Sequence, residues 1–194
     1  MDDLDAWAVV LETLARPMGR FEASSRNPGG WQAGTIQGGN PFGADISTVR
    51  CIKERSSATR RLYFLSFDAT LPRLGDRKHA YSHLLLLERD GGAYWREAGA
   101  AGGGGGMPPR SEPWLNLAGG SGGDHFYAGG RVDRAGINVD RVCLRFADGA
   151  YLDDDAEHDV ALFLTDTAVQ LPATVEIYDR VGMQVASHPG FPGH

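Results

Sequence analysis

The sequence predicts a mainly β protein: an antiparallel β-sandwich with one N-terminal amphipathic helix. Short segments of alternating apolar and polar residues recur through most of the chain. Turn signals such as Asp90-Gly91-Gly92 and Asp148-Gly149 separate several of these segments, as in β-hairpins. No strand–helix–strand repeat interrupts the pattern. With 42% apolar residues in a chain of 194, the sandwich has enough side chains for a sizeable core.

Residues 4–15 predict the helix. Apolar residues recur there every three or four positions and share one stripe: Leu4, Trp7, Ala8, Leu11, Leu14 and Ala15. Acidic residues at the start and Arg16 at the end match the helix dipole, and Pro17 is a stop signal. The apolar stripe needs a sheet to cover it.

The first half of the chain predicts an N-terminal region, residues 1–98, of this helix and a sheet. Its predicted strands are Val49–Lys53, Arg61–Phe67, Tyr81–Glu88 and Ala93–Glu97. Residues 99–123 interrupt the pattern with the glycine run Gly102–Gly106 and a second cluster, Gly119–Gly123. Because so little there can pack, we expect a mobile loop or linker.

Residues 124–194 carry the cleanest alternation and predict a β-sandwich half, separate from the first region or continuous with it. Segment 142–146 alternates apolar with polar residues, which is typical of a strand with one buried face. Segment 160–164 is apolar throughout, so we expect both of its faces to be buried. Further strands are predicted at 175–177 and 181–185.

Three runs in this half, residues 141–149, 159–163 and 172–179, carry a resemblance. They resemble small immunoglobulin-like β-sandwich modules in uncharacterised proteins of GC-rich bacteria, over about the last 70 residues. The resemblance implies a sandwich layout. It brings no catalytic motif.

Charge and apolar runs indicate which partners to expect. A net charge of −6 gives no general attraction to nucleic acid. The longest aliphatic run, Leu84–Leu87, is four residues, so we expect no membrane partner. The acidic start Met1–Asp5 lacks the pattern of a secretory signal and predicts a cytoplasmic protein, in which Cys51 and Cys143 are free thiols.

The densest acidic segment suggests a metal site. Residues 153–159 contain five carboxylates in seven positions, and the candidate calcium ligands are Asp153, Asp155, Glu157 and Asp159. Calcium prefers several converging carboxylate oxygens, but the twelve-residue calcium loop with its central glycine is missing. The alternative is a solvated connection between two strands.

A second candidate is a hydrolase-type site. Gly119–Gly123 matches Gly-x-Ser-x-Gly around Ser121, and Asp124 and His125 follow directly. His79 and His83 complete the candidate set with Ser121, Asp124 and His125. No helix is predicted after Ser121, so the motif also fits a glycine tract that contains one serine by chance. The two earlier histidines also fit ordinary strand positions.

Three further features have both a functional and a structural interpretation. The glycine run Gly102–Gly106 is not followed by Lys-Ser and a helix, so we expect a flexible loop and no phosphate site. The basic residues of segment 50–61 fit an acidic partner or nucleic acid, but an outward-facing, solvated hairpin fits better because no aromatic stacking pattern accompanies them. Trp31, Trp95 and Trp114 suit a ligand groove. Trp95 fits better in the sheet, and Trp114, in a loop beside Pro113, suits an exposed anchor.

These observations leave three functional hypotheses. The first is a non-catalytic module that binds a protein or a small ligand. The second is a calcium-dependent binding module that uses residues 153–159, and the third is an enzyme with the His/Ser/Asp set. Cleanly alternating edge strands also predict a homodimer formed by pairing of exposed strand edges.

Overall fold

A computed structural model describes residues 2–15, 43–70, 78–91, 94–104 and 110–193. Within these residues the chain has one α-helix and twelve strands. In chain order they are α1 (Asp2–Ala15), β1 (Gly43–Ala44), β2 (Arg50–Ser56), β3 (Arg60–Thr70), β4 (Lys78–Asp90), β5 (Tyr94–Gly104), β6 (Trp114–Ser121), β7 (Phe126–Asp133), β8 (Val139–Phe146), β9 (Tyr151–Asp154), β10 (Val160–Thr165), β11 (Ala173–Asp179) and β12 (Gln184–Pro189).

The strands form three antiparallel sheets. Sheet 1 has the order β1–β3–β4–β5, with β2 also paired to β3. Sheet 2 has the order β10–β7–β6, and sheet 3 has the order β12–β11–β8–β9. The predicted fold class, mainly β and antiparallel with an N-terminal helix, is confirmed. The four strands predicted in the first half correspond to β2, β3, β4 and β5, and each is longer than predicted.

The helix and the three sheets are stacked as four layers. Alternate residues of β3 face different layers, as expected for a strand. Tyr63 and Leu65 belong to the apolar cluster beneath α1. Leu62 and Phe64, on the opposite face, pack with Leu162 of sheet 2. Sheet 1 is therefore covered on both faces.

Strand β10 of sheet 2 is covered on both faces in the same way as β3 of sheet 1. Val160, Leu162 and Leu164 belong to the cluster between sheets 1 and 2. Ala161 and Phe163 belong to the cluster between sheets 2 and 3. All five are buried, which confirms the prediction of a strand without a polar face.

The buried face of α1 differs from the predicted stripe. The fully buried apolar side chains are Ala6, Val10 and Leu14. Ala8 and Ala15, predicted to be buried, are exposed. Apolar residues occur almost all round this helix, so their spacing does not select one face, and contact with the sheet does. The side chain of Leu4, with Arg16 and Pro17, lies outside the described part of the chain.

The predicted loop over residues 99–123 is wrong for most of its length. Residues 99–104 form the end of β5, and residues 114–121 form β6. Residues 105–109 lie outside the described part of the chain. The predicted division into an N-terminal region and a C-terminal half stays a prediction, although residues before 105 build sheet 1 and later ones build sheets 2 and 3.

Glycine suits β5 and β6 because neighbouring parts of the protein approach these strands closely. A Cβ atom on Gly99 would lie 2.5 Å from the Tyr127 hydroxyl, which projects from sheet 2 towards sheet 1. A Cβ atom on Gly119 of β6 would lie 2.2 Å from the Tyr127 carbonyl oxygen. Low side-chain content here therefore marks close packing, between layers at Gly99 and between paired strands at Gly119.

Among the residues that the structure describes, no helix combines the length and the apolar character needed to cross a membrane.

Candidate functional site

Three loops meet at one end of sheet 3. Val139, which begins β8, pairs with Asp179, which ends β11. Loop 134–138 before β8 and turn 180–183 after β11 therefore lie side by side. Loop 155–159 follows β9, whose last residue, Asp154, stands opposite Val142 of β8. We call these three segments together the loop end.

The loop end concentrates unusual backbone conformations. Ala135, Ala156, His158 and Asp159 have φ angles of 47°, 52°, 56° and 57°. No other non-glycine residue in the described ranges has a positive φ. The left-handed region costs an L-residue on the order of 1–2 kcal/mol. Such residues persist only where surrounding contacts determine the conformation, and they cluster at functional sites.

Arg134 joins two of the three loops. Its Nε atom forms an ion pair with Asp159, and its Nη2 atom donates to the Ala156 carbonyl oxygen at 3.1 Å. Its Nη1 atom donates to the carbonyl oxygen of Val139. One guanidinium therefore holds loop 155–159 against the start of β8 and fixes part of the left-handed backbone.

Cations from sheet 1 hold the other side of the acidic loop. Lys53 of β2 forms ion pairs with the buried Asp154, at 2.5 Å, and with Asp155. The Asp154 side chain also accepts from the Ala156 backbone N–H at 2.9 Å. The hydrogen bond from Lys53 is the main reason why the pKa of Asp155 is lowered.

Apolar side chains project from the loop end into solvent. Val181 is 82% exposed, Met183 63% and Ile137 36%. The turn that carries the first two is fixed, because the Asp179 carboxylate accepts from the backbone N–H groups of Val181 and Met183 at 3.0 and 2.9 Å. The prediction of a strand over 181–185 is wrong here, since β12 begins only at Gln184.

The four predicted calcium ligands each interact with a different residue. Asp155 pairs with Lys53, and Asp159 pairs with Arg134, as described above. Glu157 lies 3.5 Å from His158, and Asp153 contributes its carbonyl oxygen to Arg55. In the described ranges, no three His, Cys, Asp or Glu side chains are grouped to hold a metal ion. The calcium site stays a prediction, and binding there requires ion pairs to open.

The candidate hydrolase residues lie in different layers. His125 Nδ1 and Asp124 Oδ1 are 2.8 Å apart in the turn between β6 and β7, directly after Ser121. His83 lies on the α1 face of sheet 1, where its ring is 6.2 Å from that of Phe67. Sheet 1 therefore separates His83 from the other three residues. Burial lowers the pKa of His83 to about 4, which keeps its imidazole neutral.

His79 shares the α1 face of sheet 1 with His83, four residues along the same strand. It stands opposite Ala69 of β3. Its Nε2 atom is buried and has no hydrogen-bond partner among the residues that the structure describes. Since strand residues four apart are roughly 13 Å apart, the two imidazoles do not share one ligand position.

Sequence reasoning missed a buried arginine. Arg60 donates to Asp166 at 2.8 Å and to Asp124 at 2.9 Å, and its Nε atom lies 3.3 Å from Glu88. It ties sheet 1 to loops of sheet 2. The basic segment 50–61 was expected to face outward, and this is wrong for Lys53 and Arg60, because distant carboxylates draw both inward.

Trp114 does not stand in an exposed loop. It begins β6, and its ring stacks on His188 with ring centroids 3.6 Å apart. Arg110 covers its ring at 3.9 Å. Trp95 lies in the sheet, and Trp31 falls outside the described part of the chain.

No protein-family model, no curated protein and no solved structure matches this chain.

Proposed function

We propose that this chain is a non-catalytic protein-binding module and that the loop end is its binding surface. One observation carries the proposal: the exposed apolar side chains of loops 134–138 and 180–183 adjoin the left-handed backbone of loops 134–138 and 155–159. Exposed apolar groups at a fixed position are the usual anchors of protein interfaces.

The rigidity of the loop end supports this proposal. Ordering flexible loops on binding costs free energy that weakens association. Here Asp179 already fixes the turn that carries Val181 and Met183, and Arg134 fixes the neighbouring loop. A partner would meet a surface that needs little rearrangement.

The charge around the loop end supports a particular kind of partner. Glu157 is exposed at its edge, where its carboxylate lies 3.5 Å from His158. Asp140, two residues after loop 134–138, and Arg180, in turn 180–183, are also exposed. A partner with an apolar pocket and a rim that carries both signs of charge would complement this surface.

A cytoplasmic location is part of the same proposal. Cys51 is exposed and Cys143 is buried, and both are free thiols. Unpaired cysteines are typical of a reducing compartment.

The test removes the apolar tips without touching the fold. The variant carries Val181→Asp and Met183→Asp, and the matched control carries Tyr151→Asp, which is 59% exposed at the opposite end of β9. The tagged full chain is recovered from its native host cells after crosslinking, and bound proteins are quantified by mass spectrometry. We expect wild type and control to retain the same partner, and the double variant to lose it at least tenfold.

Melting temperatures within a few degrees of one another would show that all three proteins are folded. Equal recovery of partners by the double variant would overturn the proposal. So would the absence of any protein enriched by the wild type above the tag alone.

A further inference from the structure

The apolar layer between sheets 1 and 2 has an arginine at each of its two ends, and the two arginines differ in their partners. At one end the buried Arg60 is neutralised by Glu88, Asp124 and Asp166. At the other end the layer finishes at Arg131 of β7, which is exposed. Within the described part of the chain, no carboxylate forms an ion pair with Arg131, whose hydrogen-bond partner is a neutral serine.

Neighbouring side chains hold the guanidinium of Arg131 in one orientation. Its Nε atom donates to the Ser82 hydroxyl of β4 at 3.0 Å. Its Cζ atom lies 5.7 Å from the centre of the Phe64 ring, which belongs to the apolar layer. A guanidinium has five N–H donors, so the two Nη groups remain for another acceptor.

Polar residues of sheet 1 form a row beneath this arginine. Ser82 stands directly opposite Ser66 of β3, and Ser66 stands opposite Arg50 of β2. Directly paired residues project to the same face of a sheet, so all three face sheet 2. Arg50 is itself held in place by donating to the carbonyl oxygens of Ser47 and Val49, at 3.1 and 2.9 Å.

Acidic groups near this row are mostly paired with lysines. Asp45 forms an ion pair with Lys78 at 2.7 Å, and Asp154 and Asp155 form ion pairs with Lys53. Asp68 lies on the same face, two residues beyond Ser66 on β3. Two arginines and two hydroxyls therefore face this end of the layer, which we call the mouth, together with the Asp68 carboxylate.

We propose that this mouth binds a small oxyanion, the carboxylate or phosphate group of a metabolite-sized ligand. Arg131 supplies a bidentate pair of N–H donors, which suits the geometry of both groups. Ser82 and Ser66 supply hydroxyl donors, and Arg50 adds positive charge. The site is separate from the loop end and does not depend on its role.

The experiment titrates the isotope-labelled full chain with sodium phosphate and, in a second arm, with sodium acetate. Ionic strength is held constant with sodium chloride, and the backbone amide signals of Ser66, Ser82 and Arg131 are followed by NMR. We expect saturable shifts at these positions with at least one of the two anions. The arm with the lower Kd identifies the preferred group.

Arg131→Gln is the test variant and Arg180→Gln the matched control, since Arg180 is an exposed arginine in the turn after β11. The first should raise Kd at least tenfold, and the second should leave it unchanged. If Arg131→Gln does not give a folded spectrum, Ser82→Ala replaces it as the test variant, and we expect it to raise Kd about threefold. Shifts that grow linearly without saturation, or an unchanged Kd in the variant that folds, would overturn the proposal.

Discussion

Gly130 shows how single residues set the distance between strands in this protein. It lies in the middle of β7, and a Cβ atom added there would stand 1.8 Å from the carbonyl oxygen of Asn116 in β6. That neighbour is backbone and is paired to β7 along its whole length, so no side-chain rotation relieves the contact. The strands themselves would have to separate.

We therefore predict that Gly130→Ala lowers the free energy of unfolding by about 1–3 kcal/mol, as overpacking in a core usually does. Gly123→Ala is the matched control, because a Cβ atom there meets nothing within 4 Å. Its stability should be unchanged or slightly higher. Urea unfolding of both variants measures the difference, and equal midpoints would contradict this account of the close approach.

At the scale of elements, side chains from another sheet cap the outer edge of β10. Arg55 of β2 donates from Nη1 to the carbonyl oxygens of Leu162 and Asp153, both at 2.8 Å. Lys53 approaches the Val160 carbonyl oxygen at 3.3 Å. The edges of all three sheets thus meet along one seam, and β10 does not offer this edge to another chain. The predicted homodimer stays a prediction, and its pairing edge would be a different one.

Arg55→Ala should destabilise the fold by about 1–3 kcal/mol, because it removes the donor to the carbonyl oxygen of the buried Leu162 and the ion pair with the buried Asp154. Arg145→Ala serves as the control. Arg145 also lies on a strand and binds Glu176 through two nitrogens, at 2.9 and 3.1 Å, but within the described ranges it donates to no backbone carbonyl oxygen. An exposed pair of this kind contributes at most about 1 kcal/mol. Similar urea midpoints for the two variants would show that the seam contributes no more than a surface ion pair.

The elements that sequence predicted well are those whose local pattern matches their surroundings. Uniformly apolar residues at 160–164 predict a strand with both faces buried, and β10 indeed lies in sheet 2, between sheets 1 and 3. The prediction of a loop for the glycine-rich segment was wrong for the opposite reason. Glycine weakens a strand locally, and contacts from distant residues explain why it is needed: the approach of the Tyr127 side chain at Gly99, and the approach of the Tyr127 carbonyl oxygen together with a φ of 156° at Gly119.

The candidate site was predicted only in part. The acidic loop at 153–159 stood out by composition, but its partners Lys53 and Arg55 lie about a hundred positions away in the chain, beyond the reach of local patterns. Val181 and Met183 continued an alternating pattern and were assigned to a strand. The Asp179 side chain closes a turn there instead and leaves both residues exposed. No sequence signal marks alanine as left-handed at Ala135.

At the scale of the whole molecule, neutral histidines are buried in two separate layers. His83 lies between α1 and sheet 1, where burial lowers its pKa to about 4. His188 of β12 is also buried, which lowers its pKa. Its Nε2 atom accepts from the Leu115 backbone N–H at 3.2 Å and links sheet 3 to sheet 2. A protonated Nε2 would turn this acceptor into a donor.

Both histidines make the stability of the stack depend on pH with the same sign. Below the ordinary histidine pKa of 6.5 the unfolded chain binds protons that the folded chain does not. The free energy of unfolding should therefore fall as the pH drops from 6.5 towards 4, and the contribution of His83 should level off below that. For His83 alone the loss is at most about 3 kcal/mol.

Urea unfolding at intervals between pH 7.5 and pH 4 tests this on three proteins. His83→Leu removes the titrating group from an apolar layer, so its curve should be flatter than that of the wild type over this window. His158→Asn removes an exposed histidine and introduces asparagine, which tolerates the left-handed backbone at this position. Its curve of unfolding free energy against pH should therefore run parallel to that of the wild type. If all three curves fall with the same slope, His83 is not the group that couples the stack to pH.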